Sequence, residues 1–357
     1  MSSKIYYPRI NLMKFISAFL VIAIHTHPLF DLSWGANFFV VNVLSRIAVP
    51  FYLVTSGFFL YPKMIDQMNL QHQKKIKNYI QKLIYLYVLW SGFYLLINLP
   101  AYFENKSFIV GIAHVGRNFL FTSIDVHLWY LLSSAVAVLC ITLILRKASW
   151  KVLMIVSSSL YTILLLTQTY SSLVSETMIG TVIGLYERAF GTIATSFMMA
   201  IPFLTLGMAI RRYDWVKKLK YSGRWCLITF GLICIEHFTM RFIMSSADYA
   251  VSISIALFIV GFFVYLAQKD EQKQTAFLVE YSEMFQQASL FIYIIHIAFL
   301  RLLLVIYKFM GIENPRLITF LLISIFSFGS YLCVNKMKGL YQYMMNPSFK
   351  LKRKIGV

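Results

Sequence analysis

Arg9-Ile10-Asn11-Leu12-Met13-Lys14-Phe15-Ile16-Ser17-Ala18-Phe19-Leu20-Val21-Ile22-Ala23-Ile24-His25-Thr26-His27-Pro28 is apolar except for cations near its start and a histidine deep inside it. Read as a helix, it places Lys14 and His25 eleven positions apart. At about 100° per residue they return to within roughly 20° of one face, about 16 Å apart along the axis. One face then carries a cation at the membrane surface and an imidazole about three turns inward. An ionisable group inside a membrane helix is costly, and it marks a functional site by default.

The remaining chain has the same character. Its 357 residues are 59% hydrophobic, 17% aromatic and 13% charged, with mean hydropathy +0.70. Soluble domains carry about a quarter charged residues. Apolar runs near twenty residues recur along the whole length, which reads as a polytopic membrane protein. A formal charge of +19 would suit a nucleic-acid binder, but Lys and Arg also accumulate in the cytoplasmic loops of membrane proteins. The expectation is therefore no nucleic-acid partner. Cys140, Cys226, Cys234 and Cys333 fall in or beside apolar runs without CxxC spacing, so neither disulfides nor a metal site are expected. The first apolar run is too long for a cleaved signal, and no small-residue cleavage site follows it.

Ten spans are expected, near 12–30, 38–60, 79–99, 125–145, 152–168, 190–210, 225–243, 249–267, 285–307 and 315–335. With the N-terminus inside, 25 of the 33 basic residues fall on inside segments, among them Lys74, Lys75, Lys77 and Lys82. That bias puts both termini in the cytoplasm. Residues 1–335 read as a single transmembrane domain in the cell membrane. Residues 336–357 read as a short basic cytoplasmic tail lying on the anionic inner leaflet. Residues 269–284 are the clearest polar linker, and the longest loops between spans are about twenty residues.

On this topology several ionisable groups share the middle-to-outer membrane. They are His25 in the first span, Arg46 in the second, His127 with Trp129 at the start of the fourth, Arg188 just before the sixth, and His296 in the ninth. Pro50 is expected to bend the second span. Each candidate also has a structural reading. Arg46 can snorkel, His127 and Trp129 can sit in an aromatic belt, and Arg188 can be a loop cation. His25 and His296 can be core histidines bonded to backbone. Glu236-His237 with Arg241 reads as an internal ion pair with a structural role. A membrane core seldom tolerates the whole set without a polar cavity.

These segments resemble the membrane acyltransferase-3 family. Lys14 … His25 is similar to its first-helix pattern of a basic residue, ten residues, then His. Ser45-Arg46-Ile47-Ala48-Val49-Pro50-Phe51 … Ser56-Gly57-Phe58-Phe59 is similar to its Arg … Pro … Ser-Gly segment. Lys74-Lys75-Ile76-Lys77 … Lys82-Leu83 stands where the family has a basic cytoplasmic stretch. His127-Leu128-Trp129-Tyr130-Leu131, Arg188 … Pro202-Phe203-Leu204-Thr205-Leu206-Gly207 and Ser289-Leu290-Phe291-Ile292-Tyr293-Ile294-Ile295-His296 resemble later segments, in the expected order. Asn11 and Lys14 depart from the usual Asp and Arg, which weakens any Asp-dependent ion pair or bidentate anion contact. The pattern also resembles the membrane half of serine racemases linked to vancomycin resistance, although the sequence ends before any racemase domain.

The resemblance implies an all-α fold of about ten transmembrane helices. It also implies an O-acyltransferase, most simply an O-acetyltransferase, that moves an acyl group from cytoplasmic acyl-CoA to a hydroxyl. The acceptor would be a cell-envelope glycan, such as a surface polysaccharide, or a lipid-linked sugar. Acetyl-CoA or another acyl-CoA would be a donor substrate, with no tightly bound cofactor and no metal. Lys14, Lys77 and Lys82 would hold the CoA phosphates as point charges. His25 would act as general base or carry the acyl group. Arg46 would stabilise the oxyanion, with His127, Trp129, Arg188 and His296 around the acceptor. Two other classes stay open: a transporter of a small amino acid such as serine, and a purely structural membrane partner.

Overall fold

The computed structural model describes residues 7–66, 69–104, 107–243 and 248–346. Lys4, Lys106 and half of the basic tail (347–357), including Lys350, Lys352, Arg353 and Lys354, lie outside the described residues. α1 is Pro8–Thr26. α2 (Trp34–Phe38) runs through a π-helical turn at Phe39–Leu44 and a 3₁₀ turn at Ser45–Ile47 into α3 (Ala48–Ile65). Then come α4 (Leu70–Phe103), α5 (Phe108–Arg117), α6 (Trp129–Lys147), α7 (Trp150–Thr167), α8 (Met178–Phe190) and α9 (Phe197–Arg212). The chain continues through α10 (Trp215–Lys218), α11 (Ser222–Ile243), α12 (Ile253–Gln272), α13 (Ala276–Met310), α14 (Arg316–Lys336) and α15 (Lys338–Met345).

Among the described residues, nine helical runs are long and apolar enough to cross a membrane: α1, Trp34–Ile65, α4, α6, α7, α11, α12, α13 and α14. The sixth expected span falls on α9, which has 16 residues. The protein is an all-α, multi-pass membrane protein. Only helices and closed barrels satisfy every backbone group without water, and the described residues contain no strand. Trp34–Ile65 is 67% buried, against 17% for α11 and 22% for α14. The second span therefore sits among protein, while α11 and α14 turn apolar surface to lipid.

The structure moves several expected boundaries. The polar linker expected at 269–284 shrinks to residues 273–275, because α12 runs on to Gln272 and α13 starts at Ala276. Glu, Gln, Ala and Met there are good helix formers, and Gln287 Nε2 donates to Glu283 Oε1 at 2.8 Å one turn away. The lysine-rich stretch from Lys74 to Lys82 is the first part of α4. It starts at Asn69, whose Oδ1 accepts from the N–H groups of Gln71 (2.9 Å) and His72 (3.3 Å), an N-cap. The expected loop before the sixth span contains α8, capped by Thr177. The second span does deviate from a regular helix, but just before Pro50, through the π and 3₁₀ turns. Pro50 lies in the first turn of α3, where its missing N–H costs little.

The chain forms two compact units, each with its own core. The first comprises the described residues of 1–61, together with 168–170 and those of 206–332. Within it α1 packs most extensively on α13 and α11 on α12, and the 45–47 turn lies on α1 and α12. Ile10, Ala18, Ile22, Leu53, Val54, Ile259, Phe263 and Ile292 are fully buried there. The second comprises the described residues of 62–167, with 171–205 and those of 333–357. In it α4 packs on α6 and α5, α6 on α7, and α15 on α4. Its α5 and α8 expose Phe108, Ile109, Met178, Ile179, Val182 and Leu185, a surface suited to the membrane interface.

Two details hold α1 in place. Its first-turn N–H groups at Arg9 and Ile10 donate to the Asp270 carboxylate at 3.0 and 3.4 Å. The Arg9 guanidinium meets the same carboxylate at 3.1 Å. At the far end His27 takes a left-handed φ of 51° and its N–H closes on Ala23 O at 3.0 Å, with Pro28 next. Elsewhere in the first unit, a Cβ on Gly207 would lie 2.0 Å from the carbonyl oxygen of Val54. The end of α9 can therefore approach α3 only as glycine. Gly207→Val is expected to cost about 3 kcal/mol through overpacking, read as a lower unfolding temperature of the purified protein in detergent.

Candidate functional site

The first unit holds Lys14, His25, Arg46 and His296. Lys14 and His25 share the unbroken helix α1, so their common face is as the eleven-residue spacing requires. Both side chains are half-buried. The Tyr52 hydroxyl donates to the Lys14 carbonyl at 2.6 Å, which ties α3 to α1 one turn before the apolar part begins. The His25 ring lies beside the His296 ring, with centroids 5.4 Å apart and planes at 37°. The extensive α1–α13 packing brings the two together. His296 is almost fully buried. Its Nδ1 is 2.8 Å from Tyr293 O and 3.2 Å from Ile292 O. A carbonyl can only accept, so Nδ1 carries a proton and Nε2 is the nitrogen left to face other groups. His296 is thus both bonded to its own helix and paired with His25.

Arg46 sits in the 3₁₀ turn and forms an ion pair with Asp248. Its Nη2 also lies 3.4 Å from Asn42 Oδ1. The irregular backbone before α3 turns the Asn42 carbonyl aside, where His237 Nδ1 donates to it at 2.5 Å. His237 Nε2 lies 2.9 Å from Ser252 Oγ. Glu236 accepts from the N–H groups of Ile253 (3.0 Å) and Ser254 (2.8 Å) and from the Tyr170 hydroxyl. Glu236 and His237 therefore fasten the start of α12, while Arg241 lies over the Trp34 ring. In the loop after α1, burial holds the His27 imidazole below its ordinary pKa, and the nearby Arg316 and Arg46 charges push the same way. Both cations are paired, Arg46 with Asp248 and Arg316 with Asp31 at 3.5 Å.

The second unit holds the other candidates. His127 is almost fully buried in the turn before α6, under an edge-on contact with Tyr94 at 4.9 Å. Its Nδ1 lies 3.7 Å from Asp125 Oδ1. Asp125 is itself buried and accepts from Asn98 Nδ2 at 3.0 Å and Val126 N–H at 2.8 Å. Trp129 is the first residue of α6 and half-buried. Arg188 is exposed in the last turn of α8, where the helix dipole favours a cation without any ligand. Lys77 is exposed and Lys82 half-buried on α4. Five residues apart, they point about 140° from one another. Lys75, seven residues before Lys82, shares its face.

A family model described as an acyltransferase domain matches residues 7–334. The chain belongs to the acyltransferase-3 family. Three curated relatives carry racemase names. An amino-acid racemase of Enterococcus faecalis is 27% identical over 66% of this chain and 33% of its own length. A second from the same organism is 25% identical over 89% of this chain and 44% of its own. A serine/alanine racemase of Enterococcus gallinarum is 26% identical over 64% and 32%. The chain spans less than half the length of each of these. No solved structure matches it.

The family segments account for His25, Arg46, His127 and His296. The acids at Arg46 and His127, Asp248 and Asp125, and Asp270 at the start of α1 carried no expected role. A signal existed: the chain has only 14 acidic residues, so an acid beside a span end or two positions from a histidine is conspicuous.

Proposed function

We propose that this family member is an O-acyltransferase that takes an acyl group, most simply acetyl, from acyl-CoA on the cytoplasmic side. It delivers that group to a hydroxyl of a cell-envelope glycan or lipid-linked sugar. The reading rests on the family match over residues 7–334 together with one observation, an imidazole pair on the α1–α13 seam. His25 takes the proton of the acceptor hydroxyl, whose oxygen attacks the thioester carbonyl. The tetrahedral oxyanion collapses, the C–S bond breaks, and the CoA thiolate leaves and takes up the proton from His25. His296, with its proton held on Nδ1, keeps a basic nitrogen beside that ring to share the charge. Arg46, oriented by Asp248, supplies positive charge at the same end of the unit for the oxyanion or the acceptor. Lys14 meets the CoA phosphates about 16 Å away along α1. In this reading the N-terminus is inside and the protein resides in the cell membrane.

The racemase names of the relatives favour a second reading, in which the same unit carries a small amino acid such as serine or alanine across the membrane. One experiment separates the two. Purified protein in vesicles is given radiolabelled acetyl-CoA, or labelled serine without CoA. Consumption of acetyl-CoA with label appearing on a hydroxyl acceptor is expected. Serine uptake with acetyl-CoA untouched would replace acyl transfer with transport.

A further inference from the structure

The first unit carries a built apolar slot away from the imidazole pair. Its volume is about 460 Å³, and Leu206, Ala256, Leu257 and Val260 form its walls. Trp225 closes one side. Its indole lies where a Cβ on Gly261 would come within 2.0 Å, and its Nε1–H donates to Leu257 O at 2.8 Å. Glycine at 261 therefore makes room for the ring, and the hydrogen bond fixes it. The mouth, with Trp215 and Lys218, is also held. Gln268 Nε2 donates to Val216 O (2.7 Å) and Leu219 O (2.8 Å), and Gln268 Oε1 accepts from Ser222.

The two ends of the slot differ in chemistry. Between positions 211 and 224 stand six basic residues and one acid, Asp214, which pairs with Lys217 at 3.2 Å. Lys218, Lys220 and Arg224 are exposed at this end. The inner end is wholly apolar and reaches Ala256, twelve residues or about 18 Å along α12 from Gln268. Trp225 and Leu257 in its walls are 39% and 38% exposed, so the slot opens onto the apolar outer surface of the helices. An apolar slot entered from the bilayer, with tryptophans and cations at its mouth, matches an amphiphile with an anionic head.

We propose that this slot binds one acyl chain of an anionic phospholipid, with its headgroup phosphate on Lys218, Lys220 and Arg224. The site is independent of the acyl-transfer reading, because it uses none of the residues assigned there.

The test uses the full chain in phosphatidylcholine nanodiscs doped with brominated-chain phosphatidylglycerol or brominated-chain phosphatidylcholine, read by tryptophan fluorescence. Phosphatidylglycerol is expected to quench at a lower mole fraction, and Trp225→Phe to remove that extra quenching. Lys218→Gln and Lys220→Gln should each weaken the headgroup preference about fivefold, and both lie on the exposed surface where folding is not at stake. Ala256→Phe should block quenching at Trp225. Equal quenching by the two lipids, or a preference untouched by the lysine changes, would overturn the proposal. So would displacement of the bound chain by acyl-CoA but not by unbrominated phosphatidylglycerol, which would assign the slot to the acyl donor.

Discussion

In His25→Gln, acyl transfer is expected to fall by about 10²–10⁴-fold, the contribution of a positioned general base. Glutamine keeps the polarity and much of the volume but cannot take up a proton. The side chain is half-buried beside His296 rather than sealed in the core, so the change leaves no large cavity, and expression and unfolding temperature should stay near wild type. Two readouts are needed, acetyl-CoA consumption by the purified protein and mass spectrometry of surface polymers from cells carrying the variant. Transfer within a few-fold of wild type would remove His25 as the base. His296→Gln is expected to lose less, since that ring acts through His25 and is anchored to the Tyr293 carbonyl. Equal losses at both positions would mean that the pair works as one unit.

Asp270→Ala is expected to have the largest effect on stability, about 3–5 kcal/mol, the usual cost of leaving one member of a buried ion pair behind. The Asp270 side chain is fully buried and the Arg9 side chain only 22% exposed. Removing the carboxylate orphans two first-turn N–H groups of α1 and takes the counter-charge from the guanidinium, which retains the Lys269 and Lys273 carbonyls at 2.8 and 2.6 Å. Asp270→Asn keeps one acceptor oxygen for the helix end and should lose about half as much. Arg9→Ala leaves the carboxylate with its two backbone donors and should fall between. Denaturant unfolding of the purified protein in detergent micelles gives the order. A loss below 1 kcal/mol in Asp270→Ala would show that the α1–α13 seam alone holds α1. Because Lys14 and His25 ride on α1, a loosened start should also lower transfer more than the stability loss explains.

Helical class was legible in the chain because hydrocarbon leaves the backbone few choices. A twenty-residue apolar run must be helical, and nine of the ten expected runs are helices of at least 18 residues. Boundaries were less legible. Hydropathy marks where a helix meets lipid, not where it stops. α4 and α13 run on through polar sequence to 34 and 35 residues, since Lys, Gln and Glu favour a helix whether or not it is buried. The π turn at Phe39–Leu44 left no mark in the apolar pattern. It owes its place to partners far along the chain, His237 at Asn42 and Asp248 at Arg46.

The site divides the same way. Spacing along one helix is local geometry, so the shared face of Lys14 and His25 follows from eleven residues and the helical repeat. The same repeat places Lys77 and Lys82 about 140° apart on α4. Which imidazole stands beside His25, which acid orients Arg46, and which carboxylate caps α1 are contacts between residues some 200 to 270 positions apart. A periodic pattern holds no information about them, because packing chooses among faces that are equally apolar. The sequence by itself determined that this chain crosses a membrane as helices and carries a cation and an imidazole on one face of the first. Only tertiary structure decided that His296 meets that imidazole, that Asp248 pairs with Arg46 and that the buried Asp270 caps the start of the same helix.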